Sequence, residues 1–339
     1  MKTRGKKLSA LLLCFLFLIL ISACMHTEKK IKGPQDDRAT RTYGKLIVVK
    51  TQAGDTFSSL AAKYLNDSSK DWLIREFNDM KTIESGKNIV IPRNLFWRTR
   101  LKVNGFQTVP VFLYHKFSNK TSGKYSVTQA AFEEQMKYLK ENEYRIITLN
   151  QFLNFLDYNA PLHPKSVLLT FDDGWESMYD IAFPILKKYG FPATFFIYTD
   201  FIGKDQAMSW DQIRELAEYG FDIQCHTKTH QDLSESDKGE SFEDYFADLE
   251  KEILIPSHLI ARHLNKKCTC LAYPLGKTNS LVTAFLMEHG YRAGFTFDKG
   301  QNPFFVNNFL IRRTMVSGNC TIEEFIKNLD IFFDERESK

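Results

Sequence analysis

A chain of 339 residues, 43% hydrophobic and 25% charged, has the make-up of a folded globular protein with room for one large domain and a small one. That composition excludes a disordered or fibrous chain. The formal net charge of +4 comes from 45 Lys+Arg against 41 Asp+Glu, but Lys2, Arg4, Lys6 and Lys7 all fall within the first 23 positions, which hold no acidic residue. Beyond them the two signs balance at 41 each, so there is no electrostatic case for a nucleic-acid partner.

The four basic residues precede an apolar run from Leu11 to Ile21, too short to span a bilayer comfortably and suited to an export signal over residues 1–23. The run ends in Ile21-Ser22-Ala23-Cys24, which resembles a bacterial lipobox. That resemblance implies acylation of Cys24, a lipid anchor to a membrane, and an exported lipoprotein of the cell envelope (the periplasmic face of the outer membrane in a Gram-negative cell). The alternative is a plain signal peptide with a cysteine near its cleavage site. Residues 24–44 are polar, without hydrophobic period, and are predicted to be a tether.

Residues 45–93 form a compact pattern. Leu46–Val49 is predicted as a strand, Gly54-Asp55 as a turn, and Thr56 as the N-cap of a helix carrying Phe57, Leu60, Ala61 and Tyr64. A second helix holds Trp72, Leu73, Glu76 and Phe77, and Ile89–Ile91 makes a closing strand before Pro92. This βααβ order, with Gly54-Asp55-Thr56-Phe57, Asn78, Gly86 and Ile89-Val90-Ile91-Pro92 in place, resembles a LysM domain. The resemblance implies binding of N-acetylglucosamine glycans, chiefly peptidoglycan, with Gly54, Asp55, Thr56 and Phe57 along one wall of the groove. Gly54 and Phe57 can equally serve only to shape the turn and core.

Residues 94–108 are predicted to be a linker. From there to residue 335 strands and helices alternate: strands at Val109–His115, Val167–Phe171, Ala193–Tyr198, Phe221–Cys225, Thr269–Tyr273, Ala293–Phe297 and Leu310–Val316, and helices that include Gln129–Glu141, Trp210–Tyr219 and Leu281–His289. Repeated βα units predict an α/β fold, a parallel barrel with functional groups at the strands' C-terminal ends. Cys225, Cys268, Cys270 and Cys320 could form one or two disulfides in an oxidising compartment. If their segment is a strand, Cys268 and Cys270 share a face, and a thiolate zinc site with Cys225 is a further reading.

Thr170-Phe171-Asp172-Asp173-Gly174 follows an apolar strand. Adjacent carboxylates there are costly unless used, one as a metal ligand and the other as a base. His226-Thr227-Lys228-Thr229-His230 also follows a strand, and its two imidazoles meet if the chain curls into a helical turn. Together these make a His₂Asp metal site with positions left for water and substrate. Leu271-Ala272-Tyr273-Pro274-Leu275-Gly276 and Leu113-Tyr114-His115 close two further strands.

T-F-D-D-G, H-T-x-x-H and A-Y-P-x-G in this order resemble the NodB-type polysaccharide deacetylases, carbohydrate esterase family 4, over about Val109 to Phe333. The resemblance implies a distorted (β/α) barrel that removes N-acetyl groups from N-acetylglucosamine polysaccharide and releases acetate. By that resemblance Asp172 is the general base, and Asp173, His226 and His230 hold a divalent metal, by default Zn²⁺, with Co²⁺, Ni²⁺ or Fe²⁺ also suited. The Leu275 N–H faces the oxyanion, and Tyr273 and Pro274 line the substrate. The arginine that the family carries before its proline motif has no counterpart, since Lys267-Cys268-Thr269-Cys270 stands there. The family's L-x-H motif is absent after residue 300 and appears upstream in Val109-Pro110-Val111-Phe112-Leu113-Tyr114-His115. That order resembles the rearranged subgroup acting on poly-β-1,6-N-acetylglucosamine, and it implies His115 as general acid with Leu113 near the acetyl methyl. Competing readings are an O-deacetylase or amidase on the same barrel, and a non-catalytic wall-binding lipoprotein.

Overall fold

The computed structural model describes residues 40–43, 46–78, 80–92, 101–102, 105–120, 123–235 and 241–334. They belong to two units, divided after residue 93. The predicted signal, the lipobox and Cys24 lie outside the described residues.

In the first unit, strands β1 (Thr40–Tyr43), β2 (Leu46–Lys50) and β3 (Asn88–Pro92) form an antiparallel sheet in that order. Helices α1 (Phe57–Leu65) and α2 (Asp71–Phe77) connect β2 to β3. The predicted tether therefore ends early, because Thr40–Tyr43 pairs with β2 in the register Thr40↔Val49. Thr56 caps α1 through a reciprocal exchange with Ser59, which satisfies two of the helix's free N–H groups. Asn78 ties α2 to β3: its amide bonds the Ile74 and Val90 carbonyls, and its oxygen accepts from the Val90 N–H. Ile47, Val49, Leu60, Ile74, Ile89 and Ile91 are the buried centre.

The second unit opens with β4 (Leu101–Lys102) and β5 (Gly105–Gln107). Although they fall in the predicted linker, β5 pairs with the last strand, β16 (Phe332–Asp334), and so belongs to this unit. Strands β6 (Val111–Tyr114), β7 (Lys116–Ser118), β8 (Ser126–Thr128) and β9 (Arg145–Ile146) follow. Next come β10 (Ser166–Asp173), β11 (Thr194–Ile197), β12 (Asp222–Cys225), β13 (Cys270–Ala272), β14 (Ala293–Phe295) and β15 (Thr314–Met315). The central sheet runs β14-β13-β12-β11-β10-β6-β15, every pair parallel, with β9 beside the start of β10. Its ends meet at one bridge, Phe295↔Ile311, supported by Ile311 N–H to Gly294 O (2.9 Å) and Thr296 N–H to Ile311 O (2.8 Å). The result is a distorted (β/α) barrel with a thin seam. Leu310–Val316, predicted as one strand, is divided: Ile311 bonds one edge of the sheet and Thr314–Met315 the other.

Helices α3 (Gln129–Glu141), α4 (Leu149–Leu156), α5 (Phe183–Tyr189), α6 (Trp210–Tyr219), α7 (Phe242–Leu264), α8 (Ser280–Glu288) and α9 (Ile322–Lys327) complete the unit. Strand alternation separates two apolar layers. Leu169, Phe171, Phe195, Ile197 and Ile223 face the outer helices, whereas Leu168, Phe196, Ala272, Phe295 and Ile311 pack with α4 residues such as Phe152 and Leu156. Each fully buried Phe or Leu contributes roughly 1.5–3 kcal/mol.

The cysteines follow the layers rather than each other. Cys268 precedes the strand and joins the outer layer with Cys225, while Cys270 packs in the inner layer, so the shared face expected of them does not form. All four cysteines are free, and no disulfide or three-thiolate site is present among the described residues. Burial pushes the Cys225 and Cys270 thiols up to about 12 and Cys268 well above its ordinary value, so all three are protonated apolar filling. Cys320 is half-buried. Of these four, only Cys320 should be alkylated by maleimide in the native protein, with the other three reacting after denaturation; peptide mapping that finds Cys225 or Cys270 modified natively would contradict the layer assignment.

Candidate metal centre and active site

The C-terminal ends of β6, β10 and β12 and the turn after β13 border one open cleft of about 610 Å³. β10 delivers both aspartates. Leu168, Thr170 and Asp172 alternate to the inside of the barrel, and Asp172 is fully buried. Asp173 would point to the opposite side, but φ values of 81° at Asp173 and 97° at Gly174 end the strand in the left-handed region. There its carboxylate meets the cleft, and Trp175 Nε1 donates to Oδ2 at 2.8 Å. A side chain on Gly174 would also press on Ile197 at 3.3 Å, so glycine is favoured on both counts.

The other two donors come from the loop after β12. His226 Nδ1 lies 2.8 Å from Ala272 O, which assigns its proton to Nδ1 and leaves Nε2 toward the cleft. Asp173 Oδ1 is 3.5 Å from His226 Nε2 and 3.4 Å from His230 Nε2. The three ligand atoms lie within 4.8 Å of one another, the only such group of three among the described residues. This donor set and the oriented Nε2 fit a divalent cation. The histidines do not meet through a helical turn as expected. Thr227 (φ 72°) and His230 (φ 66°) are both left-handed, and Thr227 Oγ1 accepts from the His230 N–H at 3.0 Å, folding the loop back on itself. Such conformations are costly for non-glycine residues and persist where surrounding contacts enforce them.

Asp172 has a partner that the sequence reading missed. Arg313 binds it bidentately, Nη1 to Oδ1 and Nη2 to Oδ2 at 2.7 Å each, and both side chains are fully buried. Arg313 Nε donates to Thr296 O, and its guanidinium lies 5.6–6.0 Å from the Phe196, Phe295 and Phe297 ring centres. No arginine stands immediately ahead of Tyr273-Pro274, and Arg313 supplies the guanidinium that Asp172 binds. A signal existed: Ile311 and Arg313 are two apart in an apolar strand-like segment, so an inward Ile311 puts a guanidinium inside.

His115, just past β6, lines the cleft with one face near Tyr125 (5.2 Å between ring centres) and another near Phe297 (5.5 Å). Burial lowers its pKa, against the pull of Asp172 and Asp173 and with help from Arg313 and His226. For Asp173 burial opposes ionisation, but bonds and charge from His226, His115 and Trp175 hold it well below the usual carboxylate range. For His226, too, burial is outweighed: Asp172 and Asp173 raise it. Burial, by contrast, lowers His230, as it does His115.

Leu275 (φ 58°) is exposed and lines the cleft; the turn closes through Gly276 N–H to Tyr273 O and Lys277 N–H to Pro274 O. Only glycine fits at 276, because a Cβ would lie 2.2 Å from that of Phe297. Leu113, Tyr273 and Pro274 are buried and absent from the cleft lining, and the Tyr273 hydroxyl donates to Phe309 O. Lys116, Tyr125 and Trp175, not singled out from sequence, do line it. In the first unit Gly54 (φ 87°) makes the turn, Asp55 accepts from the Gln52 N–H, and Thr56 serves as the helix cap.

Arg313→Met leaves a carboxylate buried without its partner and should cost about 3–5 kcal/mol in denaturant unfolding. Adding Asp172→Leu removes the stranded charge and should recover most of that loss. An Arg313→Met protein as stable as the parent would show that the pair does not compensate charge.

The polysaccharide deacetylase family model matches residues 159–294. The poly-β-1,6-N-acetyl-D-glucosamine N-deacetylase of Staphylococcus aureus (strain COL) is 30% identical over 233 residues, covering 67% of this chain and 79% of its own length. The protein of that name from Staphylococcus epidermidis is 31% identical over 218 residues, 62% of this chain and 75% of its own. The Streptococcus pyogenes deacetylase PplD, solved with acetate, shares the fold at a TM-score of 0.60 and 23% identity, covering 66% of this chain and 98% of that one. With the barrel and the Asp/His/His cluster already placed, the chain belongs to the NodB-type polysaccharide deacetylases of carbohydrate esterase family 4, and is a polysaccharide N-deacetylase related to those named for poly-β-1,6-N-acetylglucosamine.

Proposed function

We propose that this N-deacetylase acts on N-acetylglucosamine units of a β-1,6-linked glycan, with Asp172 as base, His115 as acid and Leu275 N–H as oxyanion donor. The observation that carries the reading is that His115, from a strand upstream of the aspartates, lines the same cleft as Asp173, His226 and His230. Asp173, His226 and His230 would hold a divalent cation, most naturally zinc, which when bound polarises the acetamide carbonyl and acidifies water.

The chain's own groups supply the remaining parts. Arg313 fixes the plane of Asp172 while each carboxylate oxygen keeps a lone pair for the proton of the attacking water. The Leu275 N–H, on the exposed turn, stabilises the carbonyl oxygen as it becomes negative. His115, acidified by burial, gives its proton to the sugar nitrogen as the C–N bond breaks, leaving acetate and a glucosamine unit. Tyr125, nearly half exposed, and Trp175 offer rings against which sugars can stack. The first unit, LysM-like in sequence, would hold N-acetylglucosamine glycan of the peptidoglycan type through Gly54, Asp55 and Thr56.

Asp173→Ala, His226→Ala and His230→Ala should each lose bound metal and acetate release together. His115→Asn should keep its metal and lower kcat by about two to four orders of magnitude. Full metal occupancy in all three ligand variants, or near-normal turnover by His115→Asn, would reject these roles. For the substrate, β-1,6 N-acetylglucosamine oligomers should release acetate and stop doing so on chelation, whereas β-1,4 oligomers should bind without being cut. Faster cleavage of the β-1,4 series would reverse the assignment of linkage.

A further inference from the structure

The loop that carries His226 and His230 has strained backbone and only half of its support in the sheet. On that side His226 N–H bonds Ile197 O, and the Thr227 and Lys228 carbonyls accept from the Thr199 and Asp200 N–H groups. The support from the helix layer comes from one side chain. Glu252, on α7, is buried at 4% exposure. Its Oε2 accepts from the backbone N–H of Lys228 (3.2 Å) and of Thr229 (2.9 Å), and its Oε1 from the Thr229 hydroxyl (3.0 Å). The Lys228 ammonium turns instead to Asp200 at 2.7 Å, and among the described residues Glu252 makes no ion pair. A buried carboxylate satisfied by three donors of one short loop is an expensive group whose position and the loop's shape depend on each other.

The helix is held in register at the same level. Pro256 offers no N–H to the Glu252 carbonyl four residues earlier. One residue on, Ile253 O accepts from the Tyr291 hydroxyl (3.3 Å) and lies 4.0 Å from the Cys225 thiol, at the end of β12 immediately before His226. The carboxylate therefore stands at a fixed height beneath Lys228 and Thr229, the residues between the two imidazoles.

We infer that Glu252 is a positioning residue of the metal centre: by clamping the Lys228 and Thr229 amides it keeps His226 and His230 in ligating geometry before any cation arrives. The inference rests on the metal-site reading given above. Glu252→Leu, close in volume, removes both acceptor oxygens, so the Lys228 and Thr229 N–H groups and the Thr229 hydroxyl lose their shared partner; Glu252→Gln is the weaker test, because its carbonyl oxygen can serve both amides and its NH₂ the hydroxyl. Thr229→Val, at an exposed position, removes only the hydroxyl donor and leaves the carboxylate in place.

The test uses the full chain and Zn²⁺ alone, with affinity read by competition against a chromophoric chelator and stability by thermal unfolding of the metal-free protein. Glu252→Leu should bind Zn²⁺ about 10–100-fold more weakly than the parent, the usual effect of removing a group that orients a ligand. Thr229→Val should show a smaller loss of the same sign with metal-free stability unchanged, and it carries the test if Glu252→Leu does not fold. Ile260→Val, buried on the same helix away from the loop, should lower stability without changing affinity. Wild-type Zn²⁺ affinity in both Glu252→Leu and Thr229→Val, or an equal affinity loss in Ile260→Val, overturns the clamp. A parent chain that binds no Zn²⁺ overturns the metal reading itself.

Discussion

The ion pair between Asp172 and Arg313 is the constraint around which the second unit is arranged. Both side chains are inaccessible to solvent, so neither charge is tolerable without the other, and the pair needs all of its geometry to offset desolvation. Thr170, Thr296 and three phenylalanine rings supply that geometry, drawing in β10, β11 and the segments on both sides of the seam. An aspartate so enclosed is prevented from rotating or relaxing toward bulk water. In the proposed mechanism Asp172 acts from a carboxylate plane that Arg313 has already fixed.

Beside it, Asp173 differs in every physical respect although it is the next residue. One carboxylate looks inward and is bound by a guanidinium; the other is turned by left-handed backbone toward two imidazoles and an indole. A two-residue period would have put Asp173 among the outer apolar side chains. The break in period at Asp173-Gly174 gives two neighbouring carboxylates different partners, and the strain it stores is held by the surrounding bonds.

What could be read from the chain follows the range of the interactions. Helices at Gln129–Glu141 and Trp210–Tyr219 were legible to the residue because Thr128 and Ser209 announce their starts through local capping. The Asp173, His226 and His230 cluster was legible because a parallel barrel gathers its C-terminal strand ends on one side, here across β11 from β10 to β12. Arg313 was harder, since it is 141 residues from its partner and the two-residue step from Ile311 is the one local mark that sets it apart from Arg312. The loop conformation at Thr227 and His230 was not legible either. Positive φ at non-glycine residues is imposed by tertiary contacts, among them those of Glu252, and leaves no mark on composition. β1 was missed because four residues, Thr-Arg-Thr-Tyr, are too short and polar to show alternation against the tether before them.

The seam of the barrel has a kinetic meaning as well as a static one. Ile311 bonds one edge of the sheet and Thr314–Met315 the other, with Arg313 between them. Closing the sheet and neutralising Asp172 are therefore one event, performed by a stretch of chain far downstream of the aspartates. Contacts of such long sequence separation carry a high loop-closure cost and tend to form after local ones. Until that stretch docks, a partly folded barrel keeps Asp172 solvated and free to rotate. The oriented carboxylate thus arrives together with the finished tertiary structure, and in the proposed mechanism a chain still gathering its early strands has no fixed base.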